Sequence, residues 1–413
     1  MSGKSAIKRT RARRRGARKQ PAFLAVDFFC GAGGTTRGLI DAGGYVIAGI
    51  DKDTSCLETY TRNNLNFDSE SPKFLGYDML PRTQRYPGGQ QDQIFEELGK
   101  LIRDYKRSAK DLPLLFAVCA PCQPFTKLPQ NAVGYQRRIA RNRDRSLLLE
   151  AAKFIKKFRP EFVLSENVPG INQRGRYGRI WKKFQEELIH LGYATGSGIV
   201  CASRFGIAQH RKRSILIAMR KKLVKSNSLV DFAGNLSLPE FDPKASPISV
   251  RQAIGGLPSI KAGEMHTKIP NHRARNLSPL NLRRLKAAKP GAPNSYMTNT
   301  RFGDLSLECH RRLNRRMKMK CFTDVYTRMH PDRPAPTITT KCHSISNGRF
   351  GHYDPKQIRG ISLREAATLQ SFPATYIFYP KHRVDPIAKM IGNAVPPKLA
   401  CFYAKYLINS TKL

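Results

Sequence analysis

Two cysteines, Cys119 and Cys122, stand in a stretch with two prolines, Cys119-Ala120-Pro121-Cys122-Gln123-Pro124-Phe125. A thiolate is the strongest nucleophile that side chains offer near neutral pH, which makes Cys122 a candidate nucleophile. Proline has a fixed φ and no N–H, so the turn is stiff. Other readings stay open: cysteine is among the most buried residue types, and a C-x-x-C pair serves in redox chemistry or as half a zinc site. The sequence has no second C-x-x-C and no H-x-x-x-H to complete such a site. Glu166, before the Pro169-Gly170 turn, reads as a general acid or a reader of a base edge, or else as an ordinary strand-end acid. Arg211 and Arg213, in Gln209-His210-Arg211-Lys212-Arg213, suit a phosphate-binding turn or a rigidly held active-site wall. A glycine loop, Cys30-Gly31-Ala32-Gly33-Gly34, precedes Asp51 by the spacing used to hold ribose hydroxyls. It is not G-x-G-x-x-G and no Walker lysine follows, which disfavours NAD and ATP. Asp78 follows Gly76-Tyr77 in a turn.

These residues need a scaffold, and the apolar pattern supplies one. Runs at 23–29, 45–50, 114–118 and 161–165 predict buried strands, each leading into one of the polar groups above. Helices are expected at 35–42, 93–107, 146–158, 181–191, 363–370 and 398–408, the last opened by Pro396-Pro397. Residues 194–202 and 214–219 read as an antiparallel pair with the arginine cluster between them. The fold class is α/β: a Rossmann-like domain with a mixed, mostly parallel sheet, whose chemistry belongs at the carboxyl ends of the strands. Residues 21–220 form the expected catalytic unit. Residues 221–341, rich in Pro, Gly, Ser, Asn and basic residues, form a smaller irregular lobe, and 342–413 return to the first unit.

The charge narrows the partner. The chain has 73 Lys and Arg against 30 Asp and Glu, a formal net charge of +43. That excess points first to nucleic acid and second to an anionic membrane surface. No apolar run approaches the roughly 20 residues of a membrane span, and the basic N-terminus lacks the apolar core of a secretory signal. Nine scattered cysteines suit free thiols in a reducing cytoplasm. Residues 1–20, dense in Arg and Lys, read as a disordered arm that adds non-specific nucleic-acid affinity.

Taken together and in order, the motifs resemble those of the cytosine-5 DNA methyltransferase family. The resemblance runs from Val26 to the final helix. Asp27-Phe28-Phe29-Cys30-Gly31-Ala32-Gly33-Gly34 resembles its S-adenosylmethionine loop, and Pro121-Cys122-Gln123-Pro124-Phe125 its nucleophile loop. Glu166-Asn167-Val168 resembles its base-binding acid, and Gln209, Arg211 and Arg213 its arginine turn. Arg364-Glu365-Ala366-Ala367 with Leu369-Gln370-Ser371-Phe372-Pro373 resembles a late structural helix, and Gly392-Asn393-Ala394-Val395-Pro396-Pro397 the closing motif. Cys30 and Thr35-Thr36 depart from the pattern in the cofactor loop, and nothing in 221–341 reveals a target sequence.

The resemblance implies roles. Phe29 stacks on the adenine of S-adenosyl-L-methionine, Gly31 and Gly33 back its methionine part, Asp51 holds the ribose, Asp78 meets the adenine amine and Asn393 closes the site. Cys122 is the nucleophile, Glu166 holds a flipped cytosine, and Arg213 with Arg211 meets its O2 or a phosphate and favours the thiolate. Residues 221–341 become a target-recognition lobe. The expected partners are double-stranded DNA and a cognate restriction endonuclease sharing the site. The chain is expected to be a cytoplasmic, nucleoid-associated monomer. The rival readings are an RNA cytosine-5 methyltransferase, a catalytically silent DNA-binding relative, and a redox or zinc protein.

Overall fold

The computed structural model describes residues 20–122, 143–172, 176–224, 235–239, 246–317 and 322–411. The basic arm at 1–19 and the part of the proline-flanked stretch after Cys122 lie outside these residues. Five apolar runs make parallel strands: β1 (Phe23–Phe28), β2 (Gly44–Ile50), β3 (Lys73–Leu75), β4 (Leu114–Val118) and β5 (Phe162–Asn167). Most are buried along their whole length, as strands covered on both faces must be. β6 (Tyr193–Cys201) and β8 (Lys212–Arg220) complete the sheet in the order β3-β2-β1-β4-β5-β8-β6, with β8 antiparallel to both neighbours. The sheet is therefore mixed and mostly parallel.

The strand order decides where a site can form. The chain runs outward from β1 through β2 to β3, then returns to the other side of β1 as β4. The crevice at this switch point lies outside the carboxyl ends of β1 and β4. Register pairs Phe28 with Ile50 on one side and with Val118 on the other. Phe29, Asp51 and Cys119 consequently leave three adjacent strands side by side.

Helices cover both faces. α1 (Gly34–Asp41) and the last helix, α11 (Pro397–Asn409), pack Leu39, Leu399, Tyr403 and Leu407 against Phe23, Leu115 and Ile217. Between these helices Gly38 has no room for a side chain: a Cβ there would lie 2.3 Å from the Pro397 carbonyl oxygen. α3 (Gln91–Ser108), α4 (Leu147–Phe158) and α5 (Arg176–His190) cover the other face with Ile94, Leu98, Phe154, Trp181 and Phe184. Burying each such side chain contributes about 1.5–3 kcal/mol. The elements expected from periodicity are present, with ends shifted by a few residues. Others, among them α2 (Leu57–Asn63), β3 and α10 (Val384–Asn393), were not expected from the sequence. β3 is too short to show a period. Pro386, which reads as a helix breaker, falls in the first turn of α10, where no N–H is needed.

The segment after β8 is irregular, with short helices α6 (Val250–Ile254), α7 (Pro279–Ala287) and α8 (Glu308–Met317). Buried Arg328 holds it together by donating to the carbonyls of Leu285, His352, Asp354 and Gln357 at 2.9–3.0 Å. The chain re-enters through β9 (Ala335–Pro336), parallel to β7 (Gln209–His210), and continues to α9 (Leu363–Leu369). One apolar cluster draws on both sides of residue 341: Val250, Met329 and Ile338 pack with Cys342, Phe372 and Ile391. The arginine cluster differs from the expected connecting turn. It is extended, with Gln209, Arg211 and Arg213 buried and His210 and Lys212 exposed, the alternation of a strand.

Candidate active site

The strands carrying Cys122 and Glu166 part company just before the chemistry. Ladder pairing of β4 with β5 ends at Ala117 and Leu164. Beyond it, side chains take over: Ser165 Oγ donates to the Val118 carbonyl at 2.6 Å, and Asn167 Nδ2 to the Ala120 carbonyl at 3.0 Å. Residues 165 and 167 share one face of β5, and Glu166 takes the opposite one. Two side chains thus tie the cysteine stretch to the strand that carries Glu166.

Glu166 is 8% exposed, and its Oε1 lies 2.8 Å from Arg213 Nε. The pair is close in distance, yet the N–H is not directed at the oxygen, and Oε1 has no aligned donor among the described residues. Arg213 instead directs Nη1 to the Lys212 carbonyl at 2.6 Å. Cys122 is half-buried and a free thiol. Burial pushes the thiol up, the Glu166 charge adds to this, and Arg213 and Arg211 act against it. The arginines thus pull in the expected direction but are outweighed, and the thiol form is favoured. Cys119 is also a free thiol. Its Sγ faces Thr35 Oγ1 at 4.0 Å, and burial followed by Glu166 pushes its thiol up as well.

Arg211 is placed differently from Arg213. Its guanidinium donates to the main-chain carbonyls of Ile338 at 3.0 Å, Ala394 at 3.2 Å and Gly392 at 3.4 Å. It joins the end of the irregular segment to the turn that contains Asn393.

The glycine loop and its acid meet as their spacing implied. Gly31 N–H donates to Asp51 Oδ2 at 2.9 Å, and Asp53 N–H to Asp51 Oδ1 at 2.8 Å. Each carboxylate oxygen keeps a lone pair for a ligand hydroxyl. Burial raises the Asp51 carboxyl above its ordinary value, with these two N–H donors acting against the rise. A Cβ on Gly31 would stand 3.9 Å from Oδ2, with nothing else within 4 Å, so glycine leaves the approach to this carboxylate open. Gly31, Gly33 and Phe29 all have positive φ, at 49°, 86° and 63°. For Phe29 this costs on the order of 1–3 kcal/mol, a strain typical of ligand clamps. Asp78 accepts from Leu80 N–H at 3.1 Å and lines a cleft of about 360 Å³ with Arg85, Tyr86 and Arg143. Lys52 and Arg143 each lie 3.9 Å from its Oδ2. Asn393 is exposed at the end of α10. Its turn reaches the glycine loop, because Gly34 lies so close to it that a Cβ would meet the Val395 carbonyl oxygen at 2.5 Å.

Sequence reasoning gave no individual role to several residues that build this site. Ser165, Gln209 and Gln370 are wholly buried polar side chains. Polar residues beside apolar runs were the available signal, since a buried polar group needs a partner. Asp27 is fully buried too. Thr36 donates to its Oδ2 from both N–H and Oγ1, at 3.0 and 2.7 Å, whereas Oδ1 has no partner among the described residues. Burial raises this carboxyl to about 7.

The family model of the C-5 cytosine-specific DNA methylases matches residues 94–409. The type II methylase M.HgiDII of Herpetosiphon aurantiacus is 32% identical over 382 residues, 92% of this chain and 93% of that protein. The type II methyltransferase M.DdeI of Desulfomicrobium norvegicum is 27% identical, covering 91% of this chain and 86% of its own length. Among solved structures, an E. coli prophage protein assigned as a DNA modification methyltransferase superposes with a TM-score of 0.63 at 20% identity. That match covers 94% of this chain and 99% of the other, and it shows the shared fold. Among the described residues no helix is long and apolar enough to cross a membrane.

Proposed function

This chain is a DNA (cytosine-5-)-methyltransferase of the C-5 cytosine-specific DNA methylase family, and from that premise we propose that Cys122 attacks a cytosine turned out of a DNA duplex. The observation that carries the reading is the Glu166 carboxylate. It is buried at the end of β5, its Oε1 has no aligned donor among the described residues, and its charge is felt at Cys122. A cytosine edge offers it an acceptor at N3 and a donor at the exocyclic amine.

The Cys122 thiol gives its proton to solvent, and the thiolate adds to C6, forming a C–S bond and moving the ring electrons toward C5. Glu166, as a carboxylic acid, donates its proton toward N3 and offsets the charge arising there. That proton returns to Glu166 when the ring is restored. Arg213, beside Glu166, faces the cytosine O2 or a backbone phosphate. S-adenosyl-L-methionine, when bound, would supply an electrophilic methyl group, leaving as S-adenosylhomocysteine once its S–CH3 bond breaks. C5 takes the methyl, and loss of the C5 proton to solvent restores the C5–C6 double bond and expels Cys122. The switch-point cradle fits this cofactor. Phe29 meets the adenine face and Asp78 its amine, Asp51 the ribose hydroxyls, Gly31 and Gly33 the methionine part, and Asn393 closes the site. Arg211, whose donors go to the main chain, positions these parts. A stacked base is out of reach, so the base must be flipped. The +43 charge supports duplex DNA as the partner, and the irregular segment 221–341 supplies base readout. The similarity to type II methylases supports a modification enzyme with a restriction endonuclease sharing its site, and the enzyme acts as a monomer in this reading.

Bisulfite sequencing of DNA from a strain that expresses the protein identifies the target. A duplex with 5-fluorocytosine at that position should then trap the enzyme, because fluorine does not leave as a proton does. Cys122→Ser should abolish trapping and Cys119→Ser should retain it. The reverse pattern would remove Cys122 from the mechanism.

A further inference from the structure

Three stretches far apart in sequence meet in one buried polar joint beside this site. Gln209 Oε1 accepts from Ile338 N–H at 2.9 Å, and its Nε2 donates to Gln370 Oε1 at 2.5 Å. Gln370 Nε2 donates to the Ala394 carbonyl at 2.6 Å. Arg211 connects the same two backbone segments by bonding Ile338 on one side and Gly392 and Ala394 on the other. Gly392 permits the contact: a Cβ there would lie 2.3 Å from the backbone at Thr339 and Thr340. Gln209 and Gln370 are fully buried and Arg211 is 3% exposed.

Fastening alone does not require this chemistry. Buried charged and polar groups add little stability over apolar packing, and their best-attested use is to select one arrangement. Here Arg211 Nε even lacks a partner among the described residues. The joined segments are the ones that the functional reading assigns to different ligands. Residues 335–340 end the DNA-reading segment, residues 392–394 hold Asn393 at the cofactor, and the connecting strand carries Arg213. We infer that Gln209, Arg211 and Gln370 are positioning residues that make cofactor binding and duplex binding depend on each other. Each ligand, by ordering its own segment, sets the other through the shared donors. This rests on the function proposed above.

The test uses the full chain, S-adenosylhomocysteine as a non-reactive cofactor probe, and a duplex carrying the mapped target. The dissociation constant of the probe is measured by calorimetry with and without saturating duplex. In the unmodified enzyme the duplex should tighten probe binding at least about fivefold, the lower end of ordinary coupling between sites. In Gln370→Met, which keeps the volume and loses both hydrogen bonds, that ratio should fall toward one. Arg211→Lys keeps the charge beside Glu166 but loses the fixed fork, and should lower the ratio too. It carries the test if Gln370→Met does not melt cooperatively. A ratio near one in the unmodified enzyme overturns the inference. So does an unmodified ratio in the variants, whether or not both constants shift together. Failure of the unmodified enzyme to bind S-adenosylhomocysteine at all refutes the cofactor reading instead.

Discussion

Asn167→Ala should slow methyl transfer far more than it unfolds the protein. Asn167 is 1% exposed, and its Nδ2 holds the Ala120 carbonyl two residues before Cys122. Removing the amide leaves that carbonyl without its donor, at a cost of about 1–3 kcal/mol. The cysteine stretch has already left the sheet ladder, so it can relieve the cost by turning the carbonyl toward water and carrying Cys122 with it. If the whole cost falls on placing Cys122 in the transition state, the rate falls about 5- to 150-fold, at 1.36 kcal/mol per tenfold. Ser165→Ala is the matched control. Its partner, the Val118 carbonyl, belongs to β4 and stays fixed when the hydroxyl is lost. That variant should lose about 1 kcal/mol of stability and little rate. The assay is single-turnover methyl transfer with S-adenosylmethionine and the mapped duplex, alongside thermal melts of both variants. Turnover of Asn167→Ala within about twofold of the unmodified enzyme, well short of the effect expected from the unpaired carbonyl, would refute this role for Asn167. So would a loss that appears in KM for DNA with kcat intact.

Two further outcomes concern protons. The Cys122 thiol is raised by burial and by the Glu166 charge, so its alkylation by iodoacetamide should accelerate only as pH climbs above the ordinary thiol range. Glu166→Gln removes one of these causes and should move the profile to lower pH. A shift the other way would mean that Glu166 does not act on the thiol. Asp27 has a folded value of about 7 against an ordinary 3.8, so the folded state binds a proton that the unfolded state releases. Stability from this group is full below the unfolded value and is lost as pH rises through 7. Asp27→Asn keeps an acceptor for Thr36 and should raise Tm more at pH 8 than at pH 5. Equal changes at both pH values would place the titration elsewhere.

Much of this protein was legible before any fold was known, because the relevant signals are local. Buried strands in a doubly wound sheet are continuous apolar runs, so β1, β2, β4 and β5 show in the sequence, together with the polar groups at their ends. The pairing of Gly31 with Asp51 was legible for the same reason: one strand–loop–helix–strand unit fixes both ends of it. Only the tertiary structure could decide what lies between segments. That Arg211 faces the main chain and Arg213 the carboxylate depends on which backbone stands opposite each side chain. Those opposing segments are Ile338 and Gly392, more than a hundred residues downstream. The same holds for the thiol of Cys122. Two nearby arginines predict an easy thiolate, but the state of the group follows the sum of burial and all neighbouring charges, and burial with Glu166 outweighs them. Spacing along a chain can specify a hydrogen bond within one unit. It cannot specify desolvation, which depends on everything that packs around the group.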